Sequence, residues 1–248
     1  VNISEAKSTT SPIVLLYGSN GRGKSTLAFK SEKSVAILTE HGVPSGVSIP
    51  AFDGINRHED VLKAISDLIH DEDHGFKSLI LDTLDSYEPM VLDYVCRMNG
   101  WKTIEAPAYG KGYVAADDEW RRFIRGVTAL RDRRGVTVIL VCHAEIATIS
   151  DPRAPSYTSY VPKLHKRARS LILDACDIVG FLGEDLRTVT DDNDRVRASA
   201  GPIRYLHLEG SPAFSAKSRF ATPAKIAIPK DFNFAELAKY WKQEIANV

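Results

Sequence analysis

The chain is poor in cysteine: 248 residues hold three, Cys96, Cys142 and Cys176, far apart from one another. That spacing makes neither a disulfide framework nor a CxxC metal site, and it fits a reducing compartment. No apolar run approaches the ~18 residues that span a bilayer. No charged-then-apolar leader opens the sequence, so secretion has no support and a cytoplasmic setting is expected. Charge of one sign is not in excess either, since 32 Lys+Arg balance 32 Asp+Glu. That balance excludes a globally basic nucleic-acid coat, though not a local basic patch. There is no internal repeat and no low-complexity tract. What remains reads as a soluble globular chain, 44% hydrophobic and 26% charged, long enough for a sizeable core.

Apolar strands alternate with amphipathic helices. Strands are predicted at residues 13–17, 34–38, 78–82, 136–142, 178–182 and 203–208. Helices are predicted at 58–70, 87–98, 117–134 and 234–245, and residues 26–30 continue a helix that follows the first strand. Within 58–70, Val61, Leu62, Ile65, Leu68 and Ile69 share one face at helical spacing. The alternation implies an α/β fold, a mostly parallel twisted sheet flanked by helices. The strands after residue 176 follow one another without a helix, which predicts an antiparallel edge near the C-terminus. Residues 1–12 are polar and rich in Ser and Thr, and are expected to form a flexible tail. Residues 13–248 are expected to form a single domain with a C-terminal helix at 233–247. Two long connections, 99–117 and 144–162, do not fit tight turns and read as functional or mobile loops.

The most specific signal is Gly18-Ser19-Asn20-Gly21-Arg22-Gly23-Lys24-Ser25, which fits G-x-x-x-x-G-K-[ST] at every fixed position. It lies between an apolar strand and a helix, the setting a phosphate-binding loop requires. Glycines let the backbone turn its N–H groups toward phosphate oxygens. The cradle runs from Gly18 to Thr26, with Lys24 placed for the β- and γ-phosphates and Ser25 for Mg²⁺. Asp82, at the end of Ser78-Leu79-Ile80-Leu81-Asp82, would hold a Mg²⁺ water. It would otherwise cap the next helix, a role that Thr83 and Asp85 also fit. Glu40 follows the strand 34–38 and reads either as the group that polarises a water or as a solvated loop acid; His41 beside it reads as a bystander. His143 stands at the tip of the strand 136–142, either facing a γ-phosphate or satisfied locally.

The ordered set of segments resembles the RecA/RadA-type ATPase core. More narrowly, it is similar to phage-encoded nucleotide-binding proteins related to recombinases and single-strand annealing proteins. The resemblance rests on residues 18–25, 37–42, 79–82, 138–143, Ala108-Tyr109-Gly110-Lys111-Gly112-Tyr113 and Ala216-Lys217-Ser218-Arg219-Phe220. It implies a RecA-like P-loop core that uses ATP and Mg²⁺, with Glu40 as catalytic base and His143 as γ-phosphate sensor. Lys217 and Arg219 resemble a Lys-x-Arg pair that reaches a neighbouring subunit's site, so a homo-oligomer that hydrolyses ATP when assembled is implied. The pattern departs at Ser218 and Ala221, where RadA-type relatives have Asn and Gly. Twelve residues precede the first strand and no four-cysteine zinc module is present, so a small ring stands beside a filament as the expected assembly.

In the resembled family two axis-facing loops hold DNA, and here these fall on the two long connections. The first carries Trp101, Lys102, Tyr109, Lys111 and Tyr113. The second carries Arg153, Tyr157 and Tyr160 and runs into Lys163, His165, Lys166, Arg167 and Arg169. Basic groups neutralise phosphates and aromatic faces stack on bases without reading sequence, so single-stranded DNA is the expected partner. The DNA-contacting set is taken as Lys111, Tyr113, Lys163, Lys166, Arg167 and Arg169, with a single-strand DNA-binding protein as a further partner. The whole implies an ATP-hydrolysing protein that aids phage recombination, annealing or replication. Two other readings stand beside it: a small-molecule kinase with Arg167 and Arg169 in its lid, and a DNA-binding module switched by ATP without turnover.

Overall fold

The computed structural model describes residues 11–40, 42–190 and 196–242, with backbone alone for 186–190, 196–200 and 202. The elements are β1 (Ile13–Gly18), α1 (Lys24–Ala28), β2 (Ser34–Leu38), α2 (His58–His70), β3 (Ser78–Asp82), α3 (Leu84–Asn99) and α4 (Lys111–Arg134). There follow β4 (Thr137–Ile149), β5 (Tyr157–Pro162), α5 (Lys166–Ala175), β6 (Ile178–Thr190), β7 (Val196–His207), β8 (Lys217–Ser218), β9 (Lys225–Ile228) and α6 (Phe234–Lys242).

The sheet runs in the order β2-β3-β4-β1-β6-β7-β9, with β5 paired to β4 and β8 to β6. Strands β2, β3, β4, β1 and β6 are parallel, while β7, β8 and β9 join antiparallel. The fold is RecA-like, with the antiparallel edge on the C-terminal side that the helix-free stretch after residue 176 implies. Continuous apolar runs such as Ile13–Gly18 and Ser78–Asp82 are buried throughout, as a parallel strand covered on both faces must be.

Strand periodicity sorts the core into two layers. Ile13, Leu15 and Tyr17 point to the side where Val61, Tyr87, Trp120 and Phe123 pack. Val14 and Leu16 point to the other, against Leu27, Leu206, Phe220, Phe234 and Trp241. Helices α2, α3, α4 and α5 therefore cover one face, and α1 and α6 the other.

Several boundaries differ from the sequence expectation. Ser11 and Pro12, read as tail, are buried: the Ser11 hydroxyl donates to the Gly135 carbonyl at 2.7 Å, and the Pro12 carbonyl accepts from Val138 N–H at 3.1 Å. Residues 1–10, His41 and residues 243–247 lie outside the described residues.

The connection expected at 99–117 is cut short, because α4 starts at Lys111. Gly112, a loop signal in the sequence, is there for closeness: a Cβ on it would stand 1.9 Å from the Ile104 carbonyl oxygen. The connection expected at 144–162 is a β-hairpin, with Ala144 opposite Pro162 and Ile149 opposite Tyr157. Its strands alternate only weakly between apolar and polar, so their pattern alone did not separate them from loop. Residues 166–169, read as part of the basic run 163–169, open α5, which continues to Ala175 and buries Ala168 and Ile172.

Candidate nucleotide site

The carboxyl ends of β1, β2, β3 and β4 lie side by side. Gly18 is level with His143, Val141 with Asp82, and Asp82 with Leu38. In an open α/β sheet this edge, where strand order reverses, is where ligands bind. The turn after β1 carries Gly21 and Gly23 in left-handed conformations, φ 72 and φ 82, which suit glycine. Gly18 must also lack a side chain, since a Cβ there would meet the Leu182 carbonyl oxygen at 2.3 Å. The turn opens directly into α1, whose first residues are Lys24, Ser25 and Thr26.

Lys24 is only 4% exposed, and its ammonium donates to the Ser19 carbonyl at 3.1 Å, arching back over the turn. Burial lowers its pKa, against the opposing pull of Asp85, Cys142, Asp82 and Glu40. A buried ammonium among acids, with one backbone acceptor, is a cation placed to receive phosphate oxygens.

The sequence suggests that Asp82 reaches Ser25 from the strand next to β1, but β4 lies between β3 and β1. The Ser25 side chain is nonetheless near enough to the Asp82 carboxylate to pull its pKa down. Asp82 is 2% exposed, and among the described residues its Oδ1 has no hydrogen-bond partner. Burial raises its pKa to about 6, helped by Glu40 and opposed by Ser25, Lys24 and His143. A buried, unpartnered carboxylate oxygen beside a serine hydroxyl fits a divalent cation. Among the described residues no group of three or more His, Cys, Asp or Glu is set for a metal. Mg²⁺ would then be held by Ser25 and Asp82 together with phosphate oxygens and water, its usual preference.

Glu40 lies next to Asp82 through a short relay. Thr39 N–H donates to the Asp82 carbonyl at 2.9 Å, and the Thr39 hydroxyl to the Thr83 carbonyl at 2.6 Å. The hydroxyls of Thr83 and Ser86 approach Glu40 Oε2 at 3.5 and 3.4 Å, long contacts that aim the carboxylate without neutralising it. Thr83 caps α3 by accepting from Ser86 N–H at 3.4 Å, so the cap role offered to Asp82 is taken.

Asp85 has another task, which the sequence reading missed. It accepts from the His143 backbone N–H at 2.9 Å and faces its ring Nδ1 at 2.8 Å. Burial pushes the Asp85 pKa up, but these His143 bonds outweigh it and bring the carboxyl down to about 2. An ionised Asp85 makes Nδ1 the proton-bearing nitrogen, so a hydrogen bond from Nε2 to a phosphate requires the imidazolium. An acid in the first turn of the helix after Asp82 was the available signal. Thr83 and Ser86, which flank Glu40, gave none.

Lys217 and Arg219 stand apart from this group. Lys217 pairs with Val179 on β6. Arg219 donates from its backbone to the Asp177 carbonyl at 3.0 Å and from Nη1 to the Asp177 carboxylate at 2.9 Å. Asp177 also accepts from Ile13 N–H, so Arg219 is level with the start of β1 and the phosphate turn with its end.

Part of the expected DNA set converges. A cleft of about 750 Å³ between α3 and the start of α5 is lined by Lys102, Tyr113, Lys163, Lys166 and Arg169, with Asp85 and Glu88 in its wall. Lys102, Lys163 and Lys166 are exposed, as is Lys111 at the head of α4. Three of the predicted contacts are occupied within the chain. Tyr113 stacks on His165 with ring centroids 3.9 Å apart, Arg167 Nε donates to Asp117 at 3.0 Å, and Arg169 donates to Glu145 at 2.8 Å. In the hairpin, Arg153 folds onto Asp151, and Tyr160 stacks with Phe181 at 5.3 Å.

With this geometry in place, likenesses to known proteins become informative. A protein family described as an AAA domain matches residues 10–220. The SPbeta prophage-derived uncharacterized protein YorG of Bacillus subtilis (strain 168) is 24% identical over 201 residues, which are 79% of this chain and 57% of the relative. The chain thus spans little more than half the length of that relative. Among solved structures, the RadB recombinase superposes with a TM-score of 0.50 at 15% identity, covering 88% of this chain and 87% of the other.

Proposed function

The chain belongs to the AAA-domain family, and from that premise we propose that it binds ATP with Mg²⁺ and hydrolyses it while holding single-stranded DNA. One observation carries the nucleotide part: the buried Lys24, the orphaned Oδ1 of Asp82 and the hydroxyl-aimed Glu40 meet at one edge of the sheet. Lys24 exchanges the Ser19 carbonyl for β- and γ-phosphate oxygens, a cation for an anion in a desolvated place. Ser25 and Asp82 would hold Mg²⁺, which would neutralise charge on the phosphates. Glu40 orients and deprotonates a water in line with the γ-phosphate. His143, fixed by Asp85, reports the γ-phosphate to the hairpin that follows it.

Single-stranded DNA follows the lysine-lined cleft, where Lys102, Lys163 and Lys166 neutralise phosphates, with Lys111 beside it at the head of α4. Lys217 and Arg219 meet a phosphate only across a subunit boundary, which makes a ring or filament part of the proposal. The likeness to a prophage-derived relative supports a phage setting, and the likeness in fold to the RadB recombinase suggests recombination, annealing or replication as the process served. A kinase lid built on Arg167 and Arg169 finds no support, because Asp117 and Glu145 already hold those guanidinium groups.

Calorimetry with ATP and an ATPase assay with and without single-stranded DNA test the proposal. Lys24→Ala abolishes uptake, whereas Glu40→Gln keeps it and slows turnover by about 10²–10⁴-fold. A wild-type chain that takes up no ATP, or a Glu40→Gln chain with full turnover, overturns it.

A further inference from the structure

Two side chains of the β6–β7 hairpin grip the phosphate turn from outside the group described so far. Glu184 and Arg204 face each other across the hairpin, at the point where its register shifts between Glu184 and Leu186. Such irregularities re-aim side chains and gather next to active sites. The Glu184 carboxylate ion-pairs with the Arg22 guanidinium. Arg204 Nη1 donates to the Arg22 carbonyl at 2.8 Å. It also fills the space beside Gly23, where an added Cβ would stand 2.3 Å from the same nitrogen. One cross-strand pair thus holds residue 22 by its side chain and its carbonyl together.

The consequence follows from the peptide plane. The Arg22 carbonyl and the Gly23 N–H belong to one planar unit and point to opposite sides of it. Tying that carbonyl to Arg204 turns the Gly23 N–H away from Arg204, as a loop that cradles phosphate on its amides requires. The other arm of the guanidinium, Nη2, reaches toward the Pro229 carbonyl at 3.5 Å, so the fork spans the turn and the strand end beyond β9. A lysine has one point of attachment and does not span both.

We propose that Arg204, with Glu184 as its partner, is a positioning residue that sets the shape of the phosphate turn and with it the affinity for the triphosphate. This rests on the nucleotide reading above and adds to it a determinant from the antiparallel edge of the sheet.

The test measures ATP dissociation constants and steady-state ATPase kinetics for the full chain and for Arg204→Gln, Arg204→Lys, Glu184→Gln, Gly23→Ala and Gly23→Ala/Arg204→Gln. Loss of a charged hydrogen bond corresponds to about a tenfold weaker dissociation constant for Arg204→Gln. KM rises with it while kcat at saturating ATP stays, and Arg204→Lys does not restore the affinity. Gly23→Ala strains the left-handed turn and also pushes the guanidinium aside, so adding Arg204→Gln to it costs little more. Should Arg204→Gln also lower the melting temperature of the nucleotide-free chain, Glu184→Gln decides, with weakened ATP uptake expected at an unchanged melting temperature. Wild-type affinity in both Arg204→Gln and Glu184→Gln, with Lys24→Ala still inactive, overturns the latch and leaves the nucleotide site standing. A wild-type chain without ATP uptake overturns both.

Discussion

The Asp85 carboxylate binds His143 twice, accepting its backbone N–H at 2.9 Å and facing its ring Nδ1 at 2.8 Å. One turn along the same helix, Glu88 accepts the His165 N–H at 3.0 and 3.1 Å. These two acids grip the chain just before and just after the β4–β5 hairpin. Helix α3, which carries both, begins directly after Asp82 and Thr83. Helix α3 thus links the phosphate edge to both feet of the hairpin.

The first prediction concerns this clamp. Asp85 has a folded pKa of about 2, below the ~3.9 of an unfolded aspartate. Its contribution to stability is thus complete above about pH 4 and is lost as pH falls toward 2. Melting temperatures of wild type and Asp85→Asn, followed from pH 5 to pH 2, converge at the acid end, with wild type higher by several degrees at pH 5. Parallel curves would mean that the clamp adds no pH-dependent stability.

Asp82 predicts the opposite sign. Its pKa is raised to about 6, so ionising it costs stability as pH rises from about 4 through 6, and the cost is complete above that. Asp82→Asn is therefore expected to melt higher than wild type at pH 8 without nucleotide, and near it at pH 4. The same ionisation is needed to hold Mg²⁺, so wild-type affinity for Mg·ATP falls up to about tenfold per pH unit below pH 6. An Asp82→Asn chain that is less stable at pH 8, or a Mg·ATP affinity flat from pH 7 to 5, speaks against a strained carboxylate at the metal position.

How much of this was legible in the sequence depends on the kind of signal. Runs such as Ile13–Gly18 and Ser78–Asp82 are buried on both faces, so composition alone located the parallel core and its carboxyl-end residues. The turn glycines and Lys24 were legible because their chemistry fixes their spacing. The β4–β5 hairpin was not, since its pairing joins residues such as Glu145 and Val161 through backbone bonds that no side-chain pattern announces. Asp85, Glu184 and Arg204 were also hidden. Each acts on a residue more than fifty positions away, and only the strand order brings them together. Within the basic run 163–169, Lys163, Lys166 and Arg167 are all exposed, but the Arg167 guanidinium also ties α5 to α4 through Asp117, a pairing the run itself does not announce.

That division yields a third prediction. Lys163→Ala and Lys166→Ala each weaken single-stranded DNA binding and reduce the slope of log K against log salt by about 0.7. Arg167→Ala leaves the slope nearly unchanged and instead lowers the melting temperature, because Asp117 is left buried without its partner. Fluorescence anisotropy of a labelled oligonucleotide over a salt series separates the two outcomes. If Arg167→Ala changes the slope as much as the lysine variants, the basic run acts as one patch.

The last prediction concerns Arg219. Bonded to Asp177 beside Ile13, it is five residues of strand, roughly 17 Å, from the carboxyl end of β1. It does not reach its own phosphate turn, so any phosphate it meets belongs to another subunit. Its removal leaves Asp177 with Arg131 at 3.2 Å and Ile13 N–H at 2.9 Å, and the fold is expected to survive. Arg219→Ala subunits keep an intact phosphate turn, and Lys24→Ala subunits keep the arginine. In an equal mixture about a quarter of the head-to-tail interfaces combine the two intact halves. ATPase activity then reappears in a mixture of two inactive variants and peaks near equal proportions. No recovery at any ratio, from variants that still assemble, would assign Arg219 to Asp177 alone and return hydrolysis to residues of a single subunit.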